Sequence, residues 1–182
     1  GNNPVWAVQK IIQAVKAITA QKNTFDDFVL ITIIHIKLGE QAFGTSPGKA
    51  TVMLTLRSYT NNDMQKLRQA AENKIQEIAQ AHQLRLNISF REVFPATENH
   101  PEAYNLLHEI VNNKKFKITY NKTPYRWSED FGNYLREFPG AFFGLGSGIN
   151  QPKLHNPDFD FPDELIATGS EIFYDICRKF LY

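Results

Sequence analysis

The sequence predicts an α+β protein. Apolar residues recur at helical spacing near the start, over residues 64–78 and again over 165–180, while residues 28–38, 51–59 and 84–90 alternate as strands do. In order, residues 1–94 read α-β-β-α-β, a β-α-β-β-α-β split unit (the ferredoxin-like arrangement) without its first strand. From residue 95 the chain changes character, to helices separated by aromatic-rich loops with too few strands for a sheet of their own.

Asn3 and Pro4 suit an N-cap and a first helical position. Val5, Val8, Ile12 and Val15, widened by Ile11 and Ile18, then form the apolar stripe of a helix over residues 4–20. In residues 28–38 the even positions, Phe28 to Leu38, make one nearly continuous apolar face. The odd positions begin with Val29, Ile31 and Ile33 and end with His35 and Lys37. A strand apolar on both faces for half its length is expected at the centre of a sheet. Residues 39–49, with three glycines and a proline, are a loop. In the next strand Val52, Leu54 and Leu56 point one way, and Thr51, Met53, Thr55, Arg57 and Tyr59 the other. Thr60 and Asp63 have capping-box spacing. Met64, Leu67, Ala71, Ile75 and Ile78 carry the following helix to residue 82, and residues 84–90 read as a third, half-buried strand. Such a remnant leaves a pairing edge open, so a strand preceding Gly1, or one from another chain, is expected to cover it.

The second half reads as a helix over 102–111, a short strand over 115–120, a helix from a Ser128 cap to residue 137, and a short buried strand over 141–145. The glycine-rich loop Gly144-Leu-Gly-Ser-Gly148 follows, and a closing helix spans 165–180.

Composition narrows the function classes. The chain has 182 residues, enough for one large domain or two small ones. Apolar residues at 42% and charged residues at 21% are ordinary for a globular protein. A net charge of +1 gives no basic footprint for nucleic acid. The single cysteine, Cys177, excludes an internal disulfide and a multi-cysteine zinc site. The longest apolar run, residues 28–36, is interrupted by Thr32 and His35 and is too short for a bilayer. The start lacks the basic flank and apolar core of a signal peptide. The expectation is a soluble, cytoplasmic protein with no nucleic-acid or membrane partner.

Of the five histidines, none forms a two-histidine helical metal motif. His35, His82, His100 and His108 read as edge, helix-end or packed residues. His155 differs, because it follows a glycine-rich loop and precedes a helix, where ligands tend to sit. A neutral imidazole is the commonest protein metal ligand, yet one histidine cannot hold a catalytic metal alone. The Gly144–Gly148 loop lacks the Lys-Ser/Thr of a Walker loop and the spacing of a dinucleotide fingerprint, so it reads as a turn. Arg57 lies opposite the apolar face of its strand. A planar, permanently charged fork there suits a carboxylate or a polarised carbonyl, or else is simply solvated. Ser128-Glu-Asp130 is explained by helix capping and the helix dipole.

Taken together, these segments resemble the metal-dependent aminoacylase and carboxypeptidase family, which includes hippurate hydrolases, plant auxin-conjugate hydrolases and bacterial glutamate carboxypeptidases. The resemblance runs in order along nearly the whole chain. It rests on Gly1-Asn-Asn-Pro-Val-Trp-Ala-Val8, on residues 39–57 with Ala42, Pro47 and Arg57, and on Ser128-Glu-Asp-Phe131. It continues through Phe138-Pro-Gly-Ala-Phe-Phe-Gly-Leu-Gly146, Leu154-His-Asn-Pro157 and Phe159-Asp-Phe161. The resemblance implies that residues 1–94 are a lid and dimerisation domain, and that residues 95–182 are the C-terminal portion of an α/β zinc-peptidase catalytic domain. It implies an amide hydrolase acting on N-acyl amino acids or short peptides, with two divalent ions (zinc, manganese or cobalt) and a homodimer formed through the lid. His155 falls on the family's last metal ligand. Arg57 falls on a substrate-contacting arginine, and Ser128 and Gly146 fall on substrate-binding positions.

Three departures stand out. Gly44 occupies a position where the family often has asparagine, and Trp127 one where glycine commonly precedes Ser-Glu-Asp-Phe. The remaining metal ligands and the catalytic base would precede Gly1. The chain therefore reads as a fragment with no catalytic residue of its own, expected to be inactive alone and to retain no metal. The alternative is a non-catalytic dimerisation or interaction module.

Overall fold

The structure, a computed structural model, describes residues 2–21 and 23–181; Gly1, where the resemblance begins, lies outside them. The elements are α1 (Val5–Ala20), β1 (Val29–Leu38), β2 (Ala50–Ser58), α2 (Asn61–Ala81), α3 (Pro101–Asn113), α4 (Gly132–Leu135) and α5 (Glu164–Leu181). The class is α+β. The chain divides into two compact units, Gly1–Ala96 with Pro124–Ser128, and Thr97–Thr123 with Glu129–Tyr182.

In the first unit β1 and β2 form an antiparallel pair, with α1 and α2 packed on one face. Ile11 and Val15 of α1 meet Ile78 of α2 above Ile31, Ile33 and Leu54. Ile18, Phe25, Leu67 and Ala71 close over Val29, Ile31 and Leu56. The buried stripe of α1 centres on Ile11, Val15 and Ile18, while Val5 and Ile12 are only half-buried. Pro4 is the N-cap, and Asn3 Oδ1 accepts the Val5 amide at 3.0 Å from one residue further out.

β1 changes parity midway. The ladder pairs Ile31 with Leu56 and Ile33 with Leu54, skips Ile34, and resumes with His35 opposite Met53 and Ile36 opposite Val52. Ile34 is the extra residue of a β-bulge. Before it, Val29, Ile31 and Ile33 face the helices. Beyond it, the alternation turns Ile36 and Leu38 to that side and His35 and Lys37 to the other. The single even-numbered apolar face expected from sequence is thus corrected. Both parities are apolar because the bulge switches the pleat, not because the strand is central. Among the described residues β1 pairs only with β2.

Residues 84–90, 115–120 and 141–145, expected as strands, form no ladder. Alternation records which side chains are buried, whereas a strand also needs a neighbour for its hydrogen bonds. Leu84 still packs onto the α1–α2 core. It also closes α2: Gln83 takes φ +54°, and the amides of Gln83 and Leu84 return to the carbonyls of Gln80 and Ala79, both at 2.9 Å. α3 ends in the same way at Lys115, φ +58°.

In the second unit α3 and α5 are tied by ion pairs from Lys114 to Glu171 (2.6 Å) and Asp175 (2.8 Å), and from Lys179 to Glu109 (3.0 Å). Residues 141–145 are held by side chains rather than by a sheet. Asn99 exchanges two hydrogen bonds with the Phe142 backbone (2.7 and 3.0 Å), and His100 Nδ1 accepts the Gly140 amide at 3.2 Å. Helix α4 is a single turn capped at Phe131, so Ser128 does not cap it. No helix of the described residues is long and apolar enough to cross a membrane.

Thr60 caps α2 as its spacing predicts, accepting the Asp63 amide at 3.1 Å. Asp63 does more than complete that cap. Its fully buried carboxylate accepts the amides of Asp26 (3.1 Å) and Asp27 (2.9 Å) and faces Lys66 Nζ (3.5 Å). Burial by itself would raise this carboxyl. The two amides and the lysine outweigh that and hold it below its ordinary value. Its contribution to stability is therefore complete above the unfolded carboxyl's pKa of about 3.9 and is lost as pH falls through the lower folded value. Asp63→Asn presents an NH2 to one of two amide donors. It is expected to cost about 1–3 kcal/mol at neutral pH, read as a lower urea midpoint. The gap from the wild type should begin to narrow below about pH 4 and go on narrowing as the pH falls further. A gap that does not narrow as the pH falls below about 4 would contradict this account.

Candidate functional site

Arg57 stands on β2 opposite Leu30. Leu54 and Leu56 pack toward the helices, so alternation sets Arg57 on the far face of the sheet. Its Nε is buried and has no hydrogen-bond partner among the described residues. A buried donor without an acceptor costs on the order of 1–3 kcal/mol. An oxygen acceptor brought to Nε would offset that cost, and a guanidinium fork is chemically suited to a carboxylate.

The same face runs on to Phe28 and Tyr59. The Tyr59 amide donates to the Phe28 carbonyl at 3.3 Å and the two rings lie 4.9 Å apart. The pairing thus extends past Val29 and Ser58, and alternation puts both rings on the side of Arg57. Over Phe28, at 4.6 Å, lies the guanidinium of Arg126, a cation–π contact. The residues flanking Arg126 stack on each other: Tyr125 and Trp127 have centroids 4.0 Å apart and planes within 12°. Both rings stay open to solvent, at 47% and 54% exposure. Pro124–Ser128 is thus a strap that returns to the first unit from the second half of the sequence, ending in the exposed Ser128.

Gly146 and His155 belong to the second unit, Arg57 and Ser128 to the first. Gly146 is exposed, and a Cβ there would meet nothing within 4 Å, so packing does not demand glycine. His155 is exposed in a tight turn closed by the Asn156 amide on the Lys153 carbonyl at 2.9 Å. Its φ is +72°, in the left-handed region that non-glycine residues rarely occupy. Such strain concentrates at functional positions.

Among the described residues no group of three or more His, Cys, Asp or Glu side chains could hold a metal ion. A catalytic zinc takes three protein ligands. His155 can be one of a set, through a neutral ring nitrogen, but these residues do not complete it. The other histidines have local partners or none of this kind. His108 Nε2 lies 2.6 Å from the Tyr120 hydroxyl, and His35 is exposed just past the bulge.

Sequence alone did not reveal the strap. The aromatic–basic–aromatic run Tyr125-Arg126-Trp127 was the available signal. The left-handed turn at His155 has only a weak signal in residue type, since histidine enters that region more readily than most non-glycine residues.

The chain matches the model of Peptidase family M20/M25/M40 over residues 4–179. It belongs to that family. Within the family it is 26% identical to a hippurate hydrolase of Campylobacter jejuni, over 98% of this chain and 47% of that protein. It is 25% identical to an N-acetyldiaminopimelate deacetylase of Lactobacillus helveticus, over 92% of this chain and 44% of that protein. The crystal structure of Bacillus subtilis YxeP, a dinuclear metal binding peptidase of the family, superposes with a TM-score of 0.74 at 18% identity. That match covers 94% of this chain and 44% of the other, and it shows a shared fold. The chain spans less than half the length of these relatives.

Proposed function

We propose that this chain is part of a metal-dependent hydrolase that cleaves the amide bond of N-acyl amino acids or short peptides. The observation that carries this reading is the buried Nε of Arg57, without a partner among the described residues, in a chain of this family. Relatives named hippurate hydrolase and N-acetyldiaminopimelate deacetylase support the substrate class.

In this reading residues 1–94 are the lid and dimerisation domain, and residues 95–182 the C-terminal portion of the catalytic domain. His155 ligates one of two divalent ions, zinc, manganese or cobalt, and the remaining ligands come from the rest of the full-length protein. The dinuclear relative supports the count of two. When bound, the ions polarise the scissile carbonyl and activate water. Arg57 donates to the substrate carboxylate or to the carbonyl oxygen, fixing its orientation. Ser128 and Gly146 line the substrate. Exposed Ile34, Ile36 and Leu38 on β1 support a homodimer through the lid. The protein works in the cytoplasm on small molecules, without nucleic acid or membrane.

The experiment is hydrolysis of a panel of N-acyl amino acids with added zinc, cobalt or manganese. The full-length protein is expected to turn over at least one of them. The 182-residue chain alone, with one ligand of the set, is expected to turn over none. Absence of turnover by the full-length protein with all three metals would favour the dimerisation-module alternative. Turnover by the 182-residue chain would contradict the ligand assignment.

A further inference from the structure

We infer that His100 is a positioning residue for the glycine-rich loop around Gly146, and that it holds that loop only while its ring is uncharged. This rests on the hydrolase reading above, in which Gly146 lines the substrate, and adds a pH-dependent control of the same site.

Among the described residues no strand ladder holds this loop. Residues 140–143 are half-buried, and residues 144–150 are exposed. The position of Gly146 therefore depends on how the chain enters the loop, and four hydrogen bonds fix that entry. Asn99 exchanges two with the Phe142 backbone, at 2.7 and 3.0 Å. The His100 amide donates to the Gly140 carbonyl at 3.0 Å, and the Gly140 amide donates back to His100 Nδ1 at 3.2 Å. The chain passes close here: a Cβ on Gly140 would lie 2.9 Å from Leu135 Cδ2. Next, Leu145 packs on Gly169 of α5, where an added Cβ would lie 3.1 Å from Leu145 Cδ1, and Gly146 follows directly. Of the four bonds, the one to Nδ1 is open to a proton. A ring nitrogen that accepts an N–H carries no hydrogen, so the neutral ring keeps its proton on Nε2. In the imidazolium both nitrogens are donors, and Nδ1 would oppose the Gly140 amide, donor against donor. Histidine is the side chain that ordinarily changes charge between pH 5 and 8. The segment it holds, residues 138–152, has no acidic, basic or histidine side chain. The charged and titratable groups nearby are Glu98 and Glu102 at the start of α3, and Tyr134, Arg136 and Glu137 in and just after α4, all exposed.

The test uses the metal-loaded full-length protein. Its first readout is amide hydrogen exchange, corrected for the intrinsic effect of pH. As the pH falls from about 8 to about 5.5, the Gly140 amide is expected to lose protection, whereas the Phe142 amide, held by Asn99, keeps its own. His100→Asn puts Oδ1 in the place of Nδ1 and cannot charge, so its Gly140 amide should stay protected throughout. The second readout is hydrolysis of an N-acyl amino acid. His100→Leu removes the acceptor and is expected to lower kcat/KM at about pH 8 by roughly threefold to tenfold, mainly through KM, with metal content unchanged. His100→Asn should recover most of that loss and, at about pH 5.5, exceed the wild type. The same pH dependence of Gly140 protection in the wild type and in His100→Asn would overturn the inference, as would kinetics unchanged in His100→Leu. In both of those cases the hydrolase reading survives. A full-length protein that hydrolyses no N-acyl amino acid would overturn both.

Discussion

In the full-length protein His155→Ala is expected to lose bound metal and, with it, activity at every substrate concentration. Even the outer partners that orient metal ligands are worth roughly 10- to 100-fold. Removal of a ligand itself should therefore lower kcat by more than about a hundredfold. Because φ at this residue is +72°, alanine also changes the strain of the turn. His155→Asn separates the two effects, since asparagine tolerates the left-handed region and holds catalytic metals poorly. Both variants are expected to fold with near-wild-type thermal stability, because the side chain is exposed on a surface turn. Elemental analysis beside steady-state kinetics decides the matter. Full metal occupancy in either variant would remove His155 from the ligand set.

Arg57→Ala is expected to behave differently, with metal content intact and kcat/KM reduced. A hydrogen bond to a charged group is worth about 1.5–3 kcal/mol, which corresponds to roughly a tenfold to hundredfold loss. Arg57→Lys should restore only part of it, since an ammonium cannot reproduce the fork. The unpartnered Nε adds a second readout. Arg57→Met keeps the apolar stem and removes the orphaned donor. It is expected to melt no lower than the wild type, and higher by as much as the donor's burial costs, while activity falls. Kinetics unchanged in Arg57→Ala would remove this residue from substrate binding.

The helices of the first unit were legible because their periodicity is set by burial. Leu67, Ala71 and Ile78 of α2, and Ile11, Val15 and Ile18 of α1, are core in the sequence pattern and core in the structure. The Thr60 cap was legible from a local spacing. The sheet was less so. The bulge at Ile34 has no composition cue and hides in a run of apolar residues, where either parity looks buried. Residues 84–90 alternate convincingly, but alternation carries no information about a neighbouring strand. Asp63 looked like half of a capping box, because its second duty, toward the amides of residues 26 and 27, spans a long gap in sequence. Of the candidate site, the face of Arg57 follows from period-two alternation alone. His155 stands out by its place between a glycine-rich loop and a helix, whereas the choice of Ser128 and Gly146, and the ligand role of His155, came from the family resemblance. Short polar and glycine residues in loops carry too little local pattern to be singled out otherwise.

The strap has a consequence for how the polypeptide comes together. The first unit is discontinuous, since Pro124–Ser128 joins it only after Thr97–Thr123 has been laid aside as part of the other. On the ribosome, its helices and hairpin can pack once residue 96 has emerged, with Phe28 and Tyr59 still bare. The ring stack and Arg126 arrive later, as a loop closure whose entropic cost grows only slowly with the intervening length. A polypeptide ended at Ala96 would thus keep the core of the unit and lack the paired rings of the strap. Recombining halves between relatives near residue 96 would pair one parent's sheet with the other's strap, so the Arg126–Phe28 contact would have to form between residues of different parents.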